Sequence, residues 1–435
     1  MAYEEAVAPI ALAADLGALA AGMRERLSRE GLVFRTGSGR TAFPFDPMPR
    51  VIEAEEWQHL KVGLAQRVKA LNAFVADAYG PRRIVKAGVI PARVIKTAEH
   101  YEPQMRGVEP AGGQWVGVAG LDLVRDTHGE FLVLEDNLMT PSGFAYANAA
   151  RDALLRTLDP PPEAAPRSHA ELPTLLAGAL TAAAHVDEPY LVVLTDSPDN
   201  PAYWEHERAA ELIGVPLVLP ADLSVDGDRL RHGEHAVDVV YRRSNADTLD
   251  GEVGALLAPA VRAGTLGVVN AFGCGVADDK LSHAYVEDMV RFYLGEEPRL
   301  RSVRTLDLGR ADHLEEALDR FGDLVIKPRA GSGGHDIILC PHAEPGDVER
   351  MRDRVRASPR DWVAQPFVEL SRHPTVVDGA LSPRHVDLRP FVFMHGADHP
   401  RVLPGGLTRF ALAEGAMVVN STQDGGFKDT WVLDR

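Results

Sequence analysis

Residues 115–137 constrain this chain most. WVGVAGLDLV and FLVLED are short β-rich runs joined by the polar turn RDTHGE, which contains Gly129. That pattern predicts a hairpin. Its second strand runs through apolar residues into Glu135, Asp136 and Asn137, and then into the loop LMTPSG. Residues i and i+2 of a strand share a face, so Glu135 and Asn137 point together and Asp136 points away. With the turn centred near Thr127–His128, Asp122 on the first strand falls close to opposite Glu135. Two carboxylates and an amide oxygen then converge. Mg²⁺ prefers such hard oxygen ligands and takes the rest of its shell from phosphate and water. The ordinary alternative is a hairpin end whose acids are simply solvated.

The rest of the chain must supply a use for those oxygens. With 435 residues, 45% hydrophobic and 25% charged, it can build several packed units without staples. Its 46 basic and 63 acidic residues leave a net charge of −17. That sign excludes nonspecific binding to nucleic acid or anionic membrane, while leaving room for a local basic pocket. Cys274 and Cys340 have neither CxxC spacing nor a His-rich neighbour, so a disulfide framework and a structural zinc site are both set aside. The N-terminal stretch AVAPIALAADLGALAAG follows Glu4 and Glu5 and is interrupted by Asp15. It reads as an amphipathic helix and not as a signal peptide. No run approaches the ~18 apolar residues of a membrane span. A cytoplasmic location is expected.

Residues 1 to about 100 look mostly helical. EEWQHLKVGLAQRVKALNAFVADAYG places Leu60, Leu64, Val68, Leu71 and Val75 at helical steps, and Gly80 and Pro81 end the pattern. LDPPPEAAPRSHAELP, 158–173, is a Pro-rich linker. LVVLTDSPDN, YWEHERAAELIG, PLVLP and VDVVYRRSN then alternate strand and helix, which suggests a small parallel α/β unit. From 323 onward strands dominate: DLVIKP, DIILC, WVAQPFV, HVDLRPFVFM and AMVVN. The expected domains are 1–157, holding the helical region and the hairpin; 174–265, the α/β unit; and 266–435.

Several downstream segments carry chemistry. In DLVIKPRAGSGGHDIIL a strand delivers Lys327, and Gly331, Ser332, Gly333 and Gly334 follow in a loop between two strands. Glycines let backbone N–H groups approach phosphate oxygens, and a lysine adds a point charge. The lysine precedes the glycines, so this is not a Walker A loop; a plain Gly-rich hairpin is the competing reading. WVAQPFVEL can offer Gln365 to an adenine edge, or be an ordinary core strand. HVDLRPFVF puts Asp387 and Arg389 on one face, and GGLTRF adds Arg409. Arginines suit transferring phosphoryl oxygens, or form structural ion pairs. NAFGCGVADDK brings Lys280 to a helix start, where it reaches a phosphate or solvent.

Taken in order, the D…ExN hairpin, the DK at a helix start, the KPxxGSGG hairpin, the VxQ strand and the DLR strand resemble the ATP-grasp superfamily with its elements reordered. In an ordinary ATP-grasp enzyme the D…ExN element closes the chain; here it comes first. The sequence therefore resembles a circularly permuted ATP-grasp protein of the glutathionylspermidine synthetase-like group. FPFDPMPRVIEAEEW, LEDNLMTPSGFAY, NAFGCGVADDK, LPGGLTRFAL and VVNSTQDGGFKDTWVL carry the likeness along most of the chain.

The resemblance implies an α/β (α+β) fold with mixed and antiparallel sheets plus a small Rossmann-like unit. It implies an ATP- and Mg²⁺-dependent ligase joining a small-molecule or peptide carboxylate to an amine. Two other classes stay open: an ATP-dependent phosphotransferase or ATPase, and a non-catalytic nucleotide-binding protein. By resemblance, Asp122, Glu135 and Asn137 hold Mg²⁺, and Lys280 and Lys327 contact the nucleotide phosphates. Gly331, Ser332, Gly333 and Gly334 form a lid loop, and Gln365 sits near the adenine. Arg389 and Arg409 face the γ-phosphate or acyl phosphate. Arg242 and Arg243 are candidates for gripping an anionic substrate group. Met139, Asp424 and Phe427 depart from the family pattern on the presumed acceptor side, and ANAAR, 147–151, lacks a usual glutamate.

Overall fold

The hairpin forms where the alternation places it. Strands Val118–Arg125 and Phe131–Asn137 pair antiparallel. Asp126 Oδ1 fixes the turn by accepting from the backbone N–H of His128 and of Glu130, each at 2.9 Å, as Asx turns do. The protein is represented by a computed structural model that describes residues 7, 10, 15–36, 39–42, 44–158, 160, 165–244, 248–330, 336–416 and 425–433.

Among the described residues, nine strands form one sheet. Its order is Pro400–Val402, Phe391–Met394, Val118–Arg125, Ala380–Arg389, Leu407–Ala411, Gly425–Val432 and Arg50–Ile52; Phe131–Asn137 pairs with Val118–Arg125, and Arg372–Val377 with Ala380–Arg389. An early hairpin thus joins late strands along one edge, with Leu123 opposite Leu388 and Gly120 opposite Phe391 in a single register, while Phe131–Asn137 covers the other edge. The last strand pairs parallel with Arg50–Ile52. This three-residue strand was invisible in a region read as mostly helical, because it is too short to show a period. The same holds for the antiparallel pair Val33–Thr36 and Gly39–Ala42.

Alternation gives the sheet two apolar faces. Leu121, Leu123, Leu388, Val392 and Met394 join one core with Trp57, Leu60, Leu64, Val68 and Leu71 of the helix Ala54–Tyr79. That helix has Glu55 and Glu56 in its first turn, where acids favour the dipole, and its last residue precedes Gly80. Each fully buried leucine on it contributes roughly 1.5–3 kcal/mol, so Leu64→Ala costs about 2–5 kcal/mol. Val118, Phe391, Phe393, Leu407 and Trp431 face the other way, into a second core with the helix Phe144–Leu158. Gly120, Asp122, Arg389 and Arg409 belong to this second face. The side that packs the helix Phe144–Leu158 therefore also carries the polar residues.

The α/β unit is a parallel sheet in the order Gly267–Val269, Val239–Arg242, Leu191–Leu194, Leu217–Val218. Helices Tyr203–Ile213 and Glu252–Ala263 flank it in sequence. An antiparallel trio, Leu223–Asp226, Arg229–His232 and His235–Val237, was not anticipated, since strands of three or four residues are too short to show a period. A further antiparallel sheet, Leu306–Asp307, Trp362–Pro366, Leu324–Pro328 and Ile338–Leu339, has its own core of Leu306, Phe321, Leu324, Ile326 and Ala364. The AMVVN strand falls, from residue 417 on, outside the described residues. No helix among the described residues is long and apolar enough to cross a membrane.

Candidate functional site

Asp122 and Glu135 face each other directly across the hairpin, at a bulge in the pairing. Asn137 stands opposite Gly120 on the same face. A Cβ at Gly120 would come within 3.1 Å of Pro141 and 3.3 Å of Phe391, so a side chain there would crowd the space beside Asn137. Asn137 Nδ2 is buried and has no hydrogen-bond partner among the described residues. Rotation about χ2 exchanges the amide's two ends, so its oxygen can occupy the same point. Asp136 turns the other way. Its oxygens accept from Arg67 Nε at 2.6 Å and Nη2 at 2.7 Å and lie 2.8 Å from His283 Nδ1. Burial alone would raise the Asp136 pKa; Arg67 outweighs it and holds the carboxyl well below the usual range.

The segment VADDK reaches this hairpin with Asp278 and Lys280, while Asp279 between them turns to Arg329. Lys280 Nζ lies 3.6 Å from Glu135 Oε1. Asp278 accepts from Leu138 N at 2.8 Å and Met139 N at 3.0 Å, which pins the chain just past Asn137. Burial, together with the charges of Glu135 and Asp136, pushes the Asp278 carboxyl up to about 7 despite those two bonds. Asp279 accepts from Leu281 N at 2.8 Å and caps the turn that begins at Lys280. It also accepts from Arg329 Nε at 2.8 and 2.9 Å. Arg329 is further held by Thr97 Oγ1 and by Val94 O at 3.0 Å.

Lys327 precedes Arg329 by two residues on the strand Leu324–Pro328. Burial pulls its ammonium down to about 8; Lys280 adds to that, and Glu135 and Asp122 oppose it. These charges thus act on one another. Gln365 stands opposite Val325 in the same sheet, so its side chain shares a face with Lys327. It donates from Nε2 to Thr305 Oγ1 at 2.9 Å. The expected lid residues Gly331, Ser332, Gly333 and Gly334 lie outside the described residues, as does Asp424.

Arg389 and Arg409 converge on Asp122. Arg389 donates to both carboxylate oxygens, at 2.6 and 2.8 Å, and to Ser142 O at 3.2 Å. Arg409 Nη2 lies 2.8 Å from Asp122 Oδ2, and its Nε is 3.0 Å from Asp387 Oδ1. Burial would raise Asp122, yet the two guanidinium charges hold it well below the usual range. Burial wins at Asp387, which is pushed up. Asp122 therefore has both oxygens on arginine, while Glu135 and Asn137 carry the open end of the candidate set.

Arg242 and Arg243 diverge, as neighbours along an extended chain must. Arg243 donates to Pro141 O at 2.9 Å and Ser142 Oγ at 2.6 Å and lies 3.4 Å from Glu205 Oε2. Glu205 Oε1 accepts from Gly143 N at 2.7 Å and Ala145 N at 3.0 Å. Together they clamp the loop after the hairpin to the α/β unit. Arg242 sits over the Phe272 ring, 4.6 Å from its centroid. Phe427 packs against Phe45, with centroids 5.3 Å apart, and fills the core. Met139 Sδ would lie 3.0 Å from a Cβ at Gly275.

Sequence reasoning missed Asp278, Asp279 and Arg329. The available signals were the doubled acid directly before Lys280 and the arginine directly after Lys327-Pro328. Among the described residues no three His, Cys, Asp or Glu side chains gather into a metal cage. Two acids and an amide form a different kind of set, which fits Mg²⁺ because that ion completes its shell with phosphate and water.

This fold and its cluster of acids and lysines define a permuted ATP-grasp architecture. The chain belongs to the circularly permuted ATP-grasp type 2 family, which matches residues 49–411. It is 43% identical over 439 residues to an uncharacterized protein of Mycobacterium tuberculosis, covering 97% of this chain and 79% of that one. It is 44% identical over 425 residues to a Frankia casuarinae protein provisionally named glutamate–cysteine ligase 2-2, covering 93% of this chain and 49% of that longer protein. Among solved structures, a glutathione synthetase-like effector from Globodera pallida, in its apo form, is similar in fold. It has a TM-score of 0.64 at 10% identity, over 95% of this chain and 96% of that one.

Proposed function

We propose that this chain is an ATP- and Mg²⁺-dependent carboxylate–amine ligase that forms an amide and releases ADP and phosphate. The observation that carries the reading is the approach of Lys280 and Lys327, from two distant segments, to the Glu135 edge of the hairpin. A metal-ligand set with cations beside it is what a nucleotide triphosphate needs. Family membership supports the reading. So does the name of the Frankia relative, which describes joining a carboxylate to an amine.

In this reading Lys280 and Lys327 bind the ATP phosphates and Gln365 lies near the adenine. Residues 331–334 close over the nucleotide and exclude water. Glu135 and Asn137, with Asp122, would hold Mg²⁺, whose charge offsets that of the β- and γ-phosphates when bound. The substrate carboxylate oxygen bonds to the γ-phosphorus, and the bond from that phosphorus to the β–γ bridging oxygen breaks, releasing ADP. The amine nitrogen then bonds to the acyl carbon, phosphate leaves, and the nitrogen loses a proton. Arg389 and Arg409 stabilise the charge on the transferring phosphoryl oxygens. We assign Arg243 to positioning the Pro141–Ser142 loop, and Arg242 to the acceptor side. The working domains are 1–157, 174–265 and 266–435, with the strand Gly267–Val269 of the third completing the sheet of the second.

The test is ADP release with a panel of amino acids, peptides and polyamines, with and without hydroxylamine. Hydroxamate formation is expected. ATP consumption that yields neither hydroxamate nor amide would replace the ligase by a phosphotransferase or ATPase.

A further inference from the structure

Beside the C-terminal end of the helix Ala54–Tyr79 lies a cavity of about 330 Å³, walled by Arg82, Lys86, Lys96 and Arg106 over a floor that includes Val85 and Ala92. No acidic residue lines it. This is unusual in a chain of net charge −17. Several cations elsewhere on the surface are paired: Arg29 with Glu25, Arg208 with Glu211, Arg350 with Asp347. Among the described residues, Lys86, Lys96 and Arg106 have no ion-pair partner. Gathering like charges in a concavity costs energy that an anionic occupant returns, and low-dielectric walls focus the field.

The fourth cation is held in place. Arg82 donates from Nη2 to Tyr101 Oη at 2.5 Å and from Nε to Ala78 O at 3.1 Å. Its guanidinium lies 5.5 Å from the centre of the Tyr101 ring. Its backbone sits at φ 57°, a region where glycine is the comfortable choice. An arginine kept there at a conformational cost points to a use for its side chain. Three flexible cations around one fixed guanidinium suit an occupant with several oxygens on one centre. The volume lies at the lower end for small-molecule pockets.

We propose that this cavity is a second ligand site, separate from the Glu135–Lys280–Lys327 cluster, and that it binds a small molecule bearing phosphate groups with at least two negative charges. The site borders the nucleotide machinery without belonging to it. Lys96 is adjacent to Thr97, and the Thr97 hydroxyl and the Val94 carbonyl both accept from Arg329. The proposal stands on this cavity alone and not on the ligase reading.

The test is titration calorimetry of the full chain with inorganic pyrophosphate. Saturable binding of one equivalent is expected, and it should persist in Lys327→Ala, where the nucleotide cluster is damaged. Lys86→Gln and Lys96→Gln combined should weaken it by about tenfold or more. Arg106→Gln should weaken it independently. All these side chains are exposed, so the circular dichroism melting curve should not move. Citrate serves as the carboxylate control and should bind more weakly. Absence of pyrophosphate binding would overturn the proposal. So would unchanged binding in the lysine and arginine variants, loss of binding in Lys327→Ala alone, or tighter binding of citrate.

Discussion

Arg329 Nε is hydrogen-bonded to both carboxylate oxygens of Asp279, at 2.8 and 2.9 Å. The residue just after Lys327-Pro328 is thereby fastened to the residue just before Lys280. The two lysines assigned to one triphosphate are set at a common spacing by a buried ion pair between their neighbours. Arg329→Ala should cost about 3–5 kcal/mol of stability, since it strands a buried carboxylate. It should also weaken ATP binding by about tenfold. Urea unfolding and calorimetry read the two effects separately; an unchanged ATP affinity would mean that the lysines are positioned independently.

Glu135 and Asp136 are adjacent and should behave as opposites. Glu135 is half-exposed and Asp136 is buried against Arg67. Glu135→Ala should abolish ATP turnover while moving stability by no more than about 1 kcal/mol. Normal turnover in the folded variant would remove Glu135 from the metal site. Asp136→Asn should lose about 3–5 kcal/mol. Because the Asp136 carboxyl is held below its ordinary value, its contribution is complete above pH of about 4 and is lost as pH falls toward its folded value. Urea midpoints at neutral and acidic pH should therefore converge for wild type and Asp136→Asn.

Lys327 should make nucleotide binding pH-dependent. Its folded pKa is about 8 against an ordinary 10.5, so between those values the unfolded chain binds more protons and stability rises with pH. ATP affinity moves the other way, falling as pH rises through about 8 and the ammonium is lost. Lys327→Ala should bind ATP weakly at every pH. Lys327→Arg should flatten the profile, because arginine stays charged. A wild-type affinity that is constant across this range would refute the assignment.

Arg409 links two buried carboxylates, Asp122 and Asp387. Arg409→Met should destabilise the chain by about 3–5 kcal/mol and reduce ATP turnover. Asp387, already pushed up by burial, should then be pushed up further, because Arg409 is the charge that most opposes that rise. The double variant Arg409→Met/Asp387→Leu should recover part of the stability, as replacing a buried pair often does, without recovering turnover. Recovery of both would make Arg409 purely structural.

The parts of the molecule legible in its sequence are those that repeat. Leu60, Leu64, Val68 and Leu71 repeat at helical steps, and Glu135 and Asn137 alternate with Asp136. Counting outward from the Asp126 turn was enough to bring Asp122 near Glu135. Pairings between segments without a shared period were hidden. Nothing in VADDK says that Asp278 will accept from Leu138 N, or that Asp279 will meet Arg329. Arg243 looked like a ligand-gripping residue because it ends a strand, yet its guanidinium is taken up by Pro141, Ser142 and Glu205. Arg389 had two readings, phosphoryl contact and structural ion pair. Its bonds to Asp122 show that the ion pair exists, and they place it on the same face as Glu135.

The strand that carries Asp122 has Phe131–Asn137 along one edge and, along the other, Ala380–Arg389 followed in the same register by Phe391–Met394. A ribosome finishes this hairpin long before the strands of that second edge exist. Until the last quarter of the chain emerges, one edge of the Asp122 strand is uncovered. Closing so long a loop is entropically slow. During synthesis the segment that this fold moved to the front is thus the one left waiting, exposed to chaperones and to aggregation. The order of elements that hides the family likeness also leaves Asp122 without Arg389 and Arg409 until late in synthesis.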